Sequence, residues 1–469
     1  MISGNLWRLH DDQAIKKIDS AAMSLLTKSG VRIENDELLD LLESAGCRIE
    51  RSSMRCYYSD ELIADTIGKL GGRTDDTVEI STGWNPQNVL SQTGSYPHLL
   101  DWPSGYRRLA NRQDVVDMAK MAHTLDDFGE VGRVLVCSEV DPHFEPMWNT
   151  LQLAKTTDKP IIGGEVMFVE QIDPLVKMGE VLTGKRGETG LIAACDFFIA
   201  PLTLYKRQAD LFVAKRRQGM PIDPGTMPIS GLSAPVTVAG TVAVAVAELI
   251  AGWVLGYLIN PELSAGGIVC TGSLDMSTAS ACFTSPEALL QDTMTTQVCR
   301  RLYGINVSSV TGYSDAKRPG LEAVFQKMLG LSLAPFGTTR FISAGILSAG
   351  QDYSPVQHIL DAEINKSVER LWGGFEVSDE TIALDLIHQQ IATGHANFVD
   401  TDQTFEHYKS EQWFPRWIDR SVWQGQSTEI AAEYKMLERI DNYCKSAIDQ
   451  YQQPDIDQTK INELEKILK

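Results

Sequence analysis

The chain has 469 residues, 43% apolar and 22% charged, enough for one large α/β domain with extensions or for two to three ordinary domains. A net charge of −20 and a pI near 4.9 exclude the basic face that nucleic acid or an anionic membrane would require. Eight scattered Cys without a CxxC pair exclude a zinc ribbon or disulfide framework and fit a reducing cytoplasm, and the opening MISGNLWRLHDD turns acidic without a basic-then-apolar leader.

In chain order, residues 11–46 read as two amphipathic helices. Ile15, Ile18, Ala22, Leu25 and Leu26 form the stripe of the first, and Leu38, Leu39, Leu41 and Leu42 that of the second. A third helix, residues 60–70, opens on a Ser59-Asp60 cap. Residues 77–108 are short and alternating, with turn residues at Asn85-Pro86, Pro103 and Gly105, and predict a small β section or a hairpin leading into the main domain.

From about Arg112 helix and strand alternate regularly. DVVDMAKMAHTL precedes GRVLVCS, MWNTLQLAKTT precedes PIIGGEV, PLVKMGEVL precedes GLIAACDFF and QADLFVAKRRQ precedes MPID. A 23-residue helix at 236–258 precedes GGIVC, ALLQDTMTTQVCRRLY precedes INVSSV, and GLEAVFQKMLGLSLA precedes TTRFISA. Seven short strands reached through helices predict a parallel sheet, either an open doubly wound one or a closed (β/α)8 TIM-type barrel. No GxGxxG or GxxxxGK loop follows any strand, which favours the barrel. Its eighth strand has two candidates, the segment near Leu99 and the stretch IATGHANFV.

The helix at 236–258 has the length of a membrane span, with Glu248 its one charge. Its Ala, Gly and Val content and the absence of flanking Lys/Arg clusters predict a buried core helix packed on a sheet. The loops on either side, 223–233 and 271–284, are rich in Gly, Ser, Thr and Asp, and in such barrels loops of this kind carry the active site. Beyond Leu371 come a capped helix, DETIALDLIHQQI, an aromatic run, FEHYKSEQWFPRWIDRSVW, and a long polar helix. This tail lacks an apolar run for its own core and is expected to lie across the barrel or a second subunit through Trp413, Phe414 and Trp417. Three parts follow: an N-terminal helical and small β extension, 1–110; a (β/α) barrel, 111–400; and a C-terminal aromatic and helical tail, 401–469.

The run MPISGLSAPVTVAGTVAVAVAELIAGWVLGYLINPE, with GSLDM and TSPEALL after it, resembles the trimethylamine methyltransferase family. SSVTGYSDAKRPGLEA, SAGILSAGQDYSPVQHILDAEI, DETIALDLI, the GH-containing segment and the aromatic end before IDR are similar to that family in order and spacing. The resemblance implies an α/β barrel that moves a methyl group from a methylated amine to the cobalt of a corrinoid on a separate protein, with no cofactor tightly held by this chain. The archetypal members carry pyrrolysine. Here the corresponding segment, 310–317, reads VTGYSDAK, so the resemblance is to the branch without it, whose members resemble quaternary-amine demethylases acting on glycine betaine and similar betaines.

A quaternary ammonium already contains a good tertiary-amine leaving group, so the protein has to position and desolvate it. The cation calls for aromatic faces or a carboxylate, each ring worth about 0.5–2 kcal/mol, and a betaine carboxylate calls for a cationic side chain or N–H donors. At predicted strand ends the candidates are Glu165, Phe168, Phe197, Phe198, Asp275, Tyr313, Asp315 and Lys317, with His358 and His395 further on. Asp275, Tyr313 and Asp315 are placed in the catalytic set and the others in substrate binding. Phe197 and Phe198 equally suit core packing, and Asp275 and Asp315 equally suit caps or loop braces. Cys137, Cys195 and Cys270 end three predicted strands and could gather at one mouth, but buried Cys is common there as a small apolar residue, and no metal is expected. The different readings that remain are a demethylase of another betaine, a binding protein, and a lyase forming a Schiff base on Lys317. The aromatic tail predicts a homo-oligomer.

Overall fold

A computed structural model describes residues 8–71, 94–187, 190–310, 312–333, 339–340, 344–372, 375–394, 397–422 and 432–469. The chain opens with α1 (Asp12–Ser24), β1 (Val31–Ile33), α2 (Asp36–Ser44), β2 (Arg48–Glu50), β3 (Arg55–Tyr57) and α3 (Asp60–Leu70). Each helix starts on a side-chain cap: Asp11 accepts from Ala14 N, Asn35 from Leu38 N and Ser59 from Leu62 N. The hairpin β4 (His98–Leu100) and β5 (Arg107–Leu109) follows. Much of the predicted alternating stretch, residues 72–93, lies outside the described residues.

Helices and strands then alternate: α4 (Arg112–Thr124), β6 (Val131–Gly132), α5 (Glu145–Thr156), β7 (Ile161–Ile162), α6 (Ile172–Thr183), β8 (Asp196–Phe197), β9 (Thr203–Leu204) and α7 (Lys206–Arg217). Next are β10 (Pro224–Thr226), β11 (Ile229–Ser230), α8 (Val238–Ile259), β12 (Ile268–Val269), β13 (Gly272–Asp275), β14 (Ser280–Cys282), α9 (Pro286–Val298), β15 (Ser308–Val310), α10 (Leu321–Leu331) and β16 (Thr339–Arg340). The chain ends with β17 (Ile346–Leu347), β18 (Asp352–Tyr353), α11 (Pro355–Trp372), α12 (Asp379–Ile382), α13 (Leu384–Thr393), α14 (Asp402–Glu411), α15 (Ala432–Asp449) and α16 (Gln458–Leu468).

The architecture is mixed α/β, and its central strands are parallel. β8, β10, β12, β15 and β16 form one sheet, every neighbouring pair parallel. Parallel bridges continue the line: Ile192, ahead of β8, pairs with Gly164 beyond β7, β7 pairs with β6, and Leu135 beyond β6 pairs with Tyr96 ahead of β4. The segment near Leu99 is therefore a neighbour of the parallel strands, whereas the IATGHANFV stretch begins in α13 and runs into His395 and Ala396, which lie outside the described residues.

Helix α8 is uncharged except for Glu248, and the packing shows why. Strand β10 lies on one side, and α1, α3, α7 and α9 close around the rest, so a helix long and apolar enough for a membrane has 83% of its apolar window buried in protein. The N-terminal helices and the sheet β2-β3-β1-β9 share a core with α8. At the other end α15 packs on α4 and α11, and α16 on α5 and α6, so the C-terminal helices lie over the same body. Leu437, Ile440, Cys444 and Ala447 are the buried stripe of α15. Of the predicted aromatic contacts, Trp417 packs on Tyr443, while Phe414 stays half exposed against Tyr408.

The close approach of α8 to β10 depends on two glycines. A methyl group at Gly252 would lie 2.3 Å from Pro224 Cβ, and one at Gly256 would lie 2.3 Å from Ile222 Cγ2. Gly252→Ala is expected to destabilise the protein by about 1–3 kcal/mol, read as a lowered urea midpoint. An unchanged midpoint would show that the helix can move off the strand without loss.

Candidate functional site

Side-chain alternation divides the parallel strands into two faces. Asp196, Phe198, Thr226 and Thr271 reach outward to helices: Asp196 to Lys215 of α7, Phe198 to Gly252 of α8, Thr226 to Glu248 of α8 and Thr271 to Asp292 of α9. Cys195, Phe197, Gly225 and Cys270 take the other face, where the Phe197 ring fills the space that Gly225 leaves.

Tyr313 is the centre of this inner face. Burial pushes its phenol well above the usual range, and Cys270, Tyr96, Glu165 and Cys195 lie close enough to add to that. Its ring packs against Phe283 at 5.5 Å between centroids, and Gly350 has no side chain where the hydroxyl passes. Burial also keeps the Cys195 and Cys270 thiols protonated, so the cluster presents rings and neutral O–H and S–H groups. Glu165 sits at the exposed edge and adds a carboxylate beside them. Arg133, buried on the strand segment after β6, donates from Nη2 to the Glu165 carbonyl.

Other predicted residues have different surroundings. Asp315 accepts from Thr284 Oγ1 at 2.6 Å and from the Phe283 and Thr284 N–H groups, so it ties the loop that carries Phe283 to the segment that carries Tyr313. Phe168 stacks on His143 at 3.9 Å in the loops that follow β6 and β7. Lys317 is exposed, and its ammonium donates to the Asp315 carbonyl, which leaves it without the burial that activates a Schiff-base lysine.

The structure does not bring Phe198, Asp275 or His358 into the cluster. Phe198 points outward because it is one residue out of phase with Phe197, and it is buried in the core around α8. Asp275 is a half-buried hairpin brace between β13 and β14, its carboxyl held below the usual range by donors from Ser277 and Thr278. His358 is fully buried on α11 between Phe128 and Tyr353, and burial, with Lys327 nearby, lowers its pKa to about 3. His395 lies outside the described residues. The three thiols do not converge, since Cys137 lies near Glu145 and Arg112 while Cys195 and Cys270 flank Tyr313, and no metal-holding group of three His, Cys, Asp or Glu occurs among the described residues.

Arg133, Tyr96, Phe283 and His143 were not singled out from the sequence. Tyr96 and Phe283 are reached only through the pairing of Tyr96 with Leu135 and the Asp315 brace, which no local pattern encodes. A cavity of about 610 Å³ opens instead beside α16, lined by Glu130, Pro160 and Gly190 ahead of the strand segments, at the opposite ends from Tyr313.

Two buried carboxyls on outer helices hold the strand ends in place. Glu248 accepts from Leu202 N and Thr226 Oγ1, Asp292 from Thr271 N and Thr271 Oγ1, and burial raises both to about 7. Both acids hold a proton in the folded state that the unfolded chain releases near pH 4, so stability falls as pH rises from about 4 to 7. Asp292→Asn is expected to remove part of that fall, on the order of 3 kcal/mol across the window, in urea titrations at pH 5 and pH 7.5. Equal pH slopes in the two proteins would refute the assignment.

An inner face of aromatic, hydroxyl and thiol groups, edged by a carboxylate, suits a desolvated cationic substrate. Comparisons with known proteins identify the family. The sequence profile of the trimethylamine methyltransferase (MTTB) family matches residues 4–469. A trimethylamine methyltransferase MttB of Desulfitobacterium hafniense (strain DSM 10664 / DCB-2) is 24% identical, covering 88% of this chain and 84% of that protein. A glycine betaine methyltransferase of Desulfitobacterium hafniense (strain Y51) is also 24% identical, covering 96% and 94%. Among solved structures, the monomethylamine methyltransferase of Methanosarcina barkeri matches 95% of this chain and 96% of its own, at 14% identity and a TM-score of 0.45. With the family profile spanning nearly every residue, including all the elements that build the Tyr313 cluster, the chain belongs to the trimethylamine methyltransferase family.

Proposed function

We propose that this protein demethylates a quaternary amine, glycine betaine first among them, and passes the methyl group to a corrinoid carried by a separate protein. The observation that carries this reading is the Tyr313 cluster: neutral aromatic, phenol and thiol groups with Glu165 at the edge, in a chain whose 310–317 segment holds only standard residues. A quaternary ammonium leaves as a tertiary amine and needs no proton from the protein. The work left to these residues is to strip water from the cation, hold it against the Tyr313 and Phe283 rings, and aim one methyl group at the loops. The corrinoid supplies the nucleophilic metal centre that accepts the methyl group.

A partner bearing a large cofactor needs a place to dock, and the loops after the parallel strands provide apolar contacts. Phe144, Met167, Ile199, Leu232, Val236 and Met276 are all exposed there, each on a loop that follows a strand segment of the parallel line. The same line of strands supports a closed (β/α)8 barrel, with the Leu99 segment as its first strand and β16 as its last. A cytoplasmic location fits the eight free thiols. Exposed Phe375, Ile391, Phe405 and Phe414 support self-association through the tail, which a monomeric mass in sedimentation would overturn.

The test mixes the protein with reduced free cobalamin, or its corrinoid partner, and a panel of betaines beside mono-, di- and trimethylamine. Loss of the Co(I) absorbance is expected with a betaine and not with the methylamines. Tyr313→Ala is expected to slow that loss by about tenfold or more, since it removes a ring and its hydroxyl from the cation's surroundings. Equal rates with trimethylamine, or no reaction with any amine while the corrinoid stays reduced, would refute the reading.

A further inference from the structure

Neither of the two rings that meet at the candidate site lies on a strand. Tyr313 comes after β15 and Phe283 between β14 and α9, so the backbone around each must find hydrogen-bond partners outside the sheet ladders. Asp315 is that partner for the Phe283 loop. Its Oδ2 accepts from Thr284 Oγ1 at 2.6 Å and from Thr284 N at 3.3 Å, and its Oδ1 accepts from Phe283 N at 3.4 Å. Both carboxylate oxygens are thus engaged by the loop.

A brace sets the place of a loop only if its own backbone is fixed, and here it is fixed from two sides. On one, a single oxygen of α10, Gln326 Oε1, accepts from Ser314 Oγ at 2.8 Å, Asp315 N at 2.9 Å and Ala316 N at 3.2 Å. On the other, Ala349 N donates to the Ser314 carbonyl and Ser348 N to the Ala316 carbonyl, each at 2.9 Å. Ser314, Ala316 and Thr284 are all buried, so water competes little for these bonds. Tyr313 adjoins this segment directly. Its ring meets Phe283 at 5.5 Å between centroids, with 54° between the planes.

We infer that Asp315 is a positioning residue: by holding Thr284 and Phe283 it sets the Phe283 ring against the Tyr313 ring, and so shapes the aromatic pair that receives the ammonium head of the substrate. The inference rests on the methyltransferase reading above. It gives Asp315 a role that needs no contact with the substrate, in place of the catalytic one expected from the sequence. The attraction between a cation and a ring depends on where the ring face lies, and a loop released from Asp315 would carry that face away.

The test is a double-mutant cycle on the full chain, read by calorimetric binding of glycine betaine and of tetramethylammonium, which share the methylated head, and by the rate of Co(I) loss with glycine betaine. Asp315→Ala is expected to weaken both ligands about fivefold or more in the otherwise wild-type protein, and less than about twofold once Phe283→Ala has removed the ring. Thr284→Val keeps the carboxylate and removes only the hydroxyl donor. It is expected to show the same dependence on Phe283, and it serves if Asp315→Ala does not fold. Equal losses in the two backgrounds would mean that Asp315 acts on the cation directly or on stability alone, and would overturn the assignment. So would a loss confined to glycine betaine, or no loss at all, while the methyltransferase reading stands. If the wild-type protein binds neither ligand and consumes no amine, that reading falls and the positioning role with it.

Discussion

The contact between α8 and β10 is the constraint on which the rest of the structure depends. Two glycines let the helix approach within van der Waals distance of Pro224 and Ile222, and this closeness brings Glu248 to the end of β10. Its carboxyl then spans two strand segments, accepting from Thr226 on one and Leu202 N beyond the next. Were the helix a side chain's width further out, Glu248 would be a buried acid without donors, and the loops after β8 and β10 would lose their common anchor. The apolar surface of the helix and its single acid therefore serve one purpose. The first sets the distance, and the second uses it to fix where the loops begin.

The same rule divides the charges of the protein by face. On the outer face, buried ionisable groups meet partners from the helices: Asp196 with Lys215 and Arg216, Asp292 with Thr271, Lys327 with Asp361. Such pairs add little net stability but fix register, because either member alone would be strongly unfavourable. On the inner face the groups around Tyr313 are kept neutral by burial. The outer layer thus uses its polar groups to hold geometry, and the inner layer keeps neutral rings, hydroxyls and thiols beside the single Glu165 carboxylate at its edge.

Much of the architecture was legible in the sequence. The alternation of helix and strand from Arg112, the Ser59 cap of the third helix and the burial of α8 all follow from local sequence signals, and they appear in the structure where the pattern places them. The site was legible in part. Tyr313, Glu165 and Asp315 lie together because all three sit just beyond strand segments, a position that sequence can estimate. Phe197 and Phe198 show the limit, since period-two alternation says that only one can face inward, and the choice depends on a register fixed by the pairing of Phe197 with Gly225. His358 was misplaced for a related reason: it follows Pro355 by three residues on α11, whose contacts carry it into the core against Phe128.

Arg133 was hidden for a more instructive reason. Within GRVLVCS it reads as the one polar residue of an apolar strand, and such a residue is ordinarily turned to solvent or paired across the sheet. The structure gives it a third setting. Its guanidinium is buried, donates from Nη2 to the Glu165 carbonyl and lies within range of the Glu145 and Glu165 charges, while the Gly164 backbone packs so closely that a methyl group there would lie 3.3 Å from Nη2 and 2.6 Å from the Gly94 carbonyl. The segments that carry Gly94, Glu145 and Glu165 are distant in sequence, so the burial of this charge is set by tertiary contacts that no local pattern encodes.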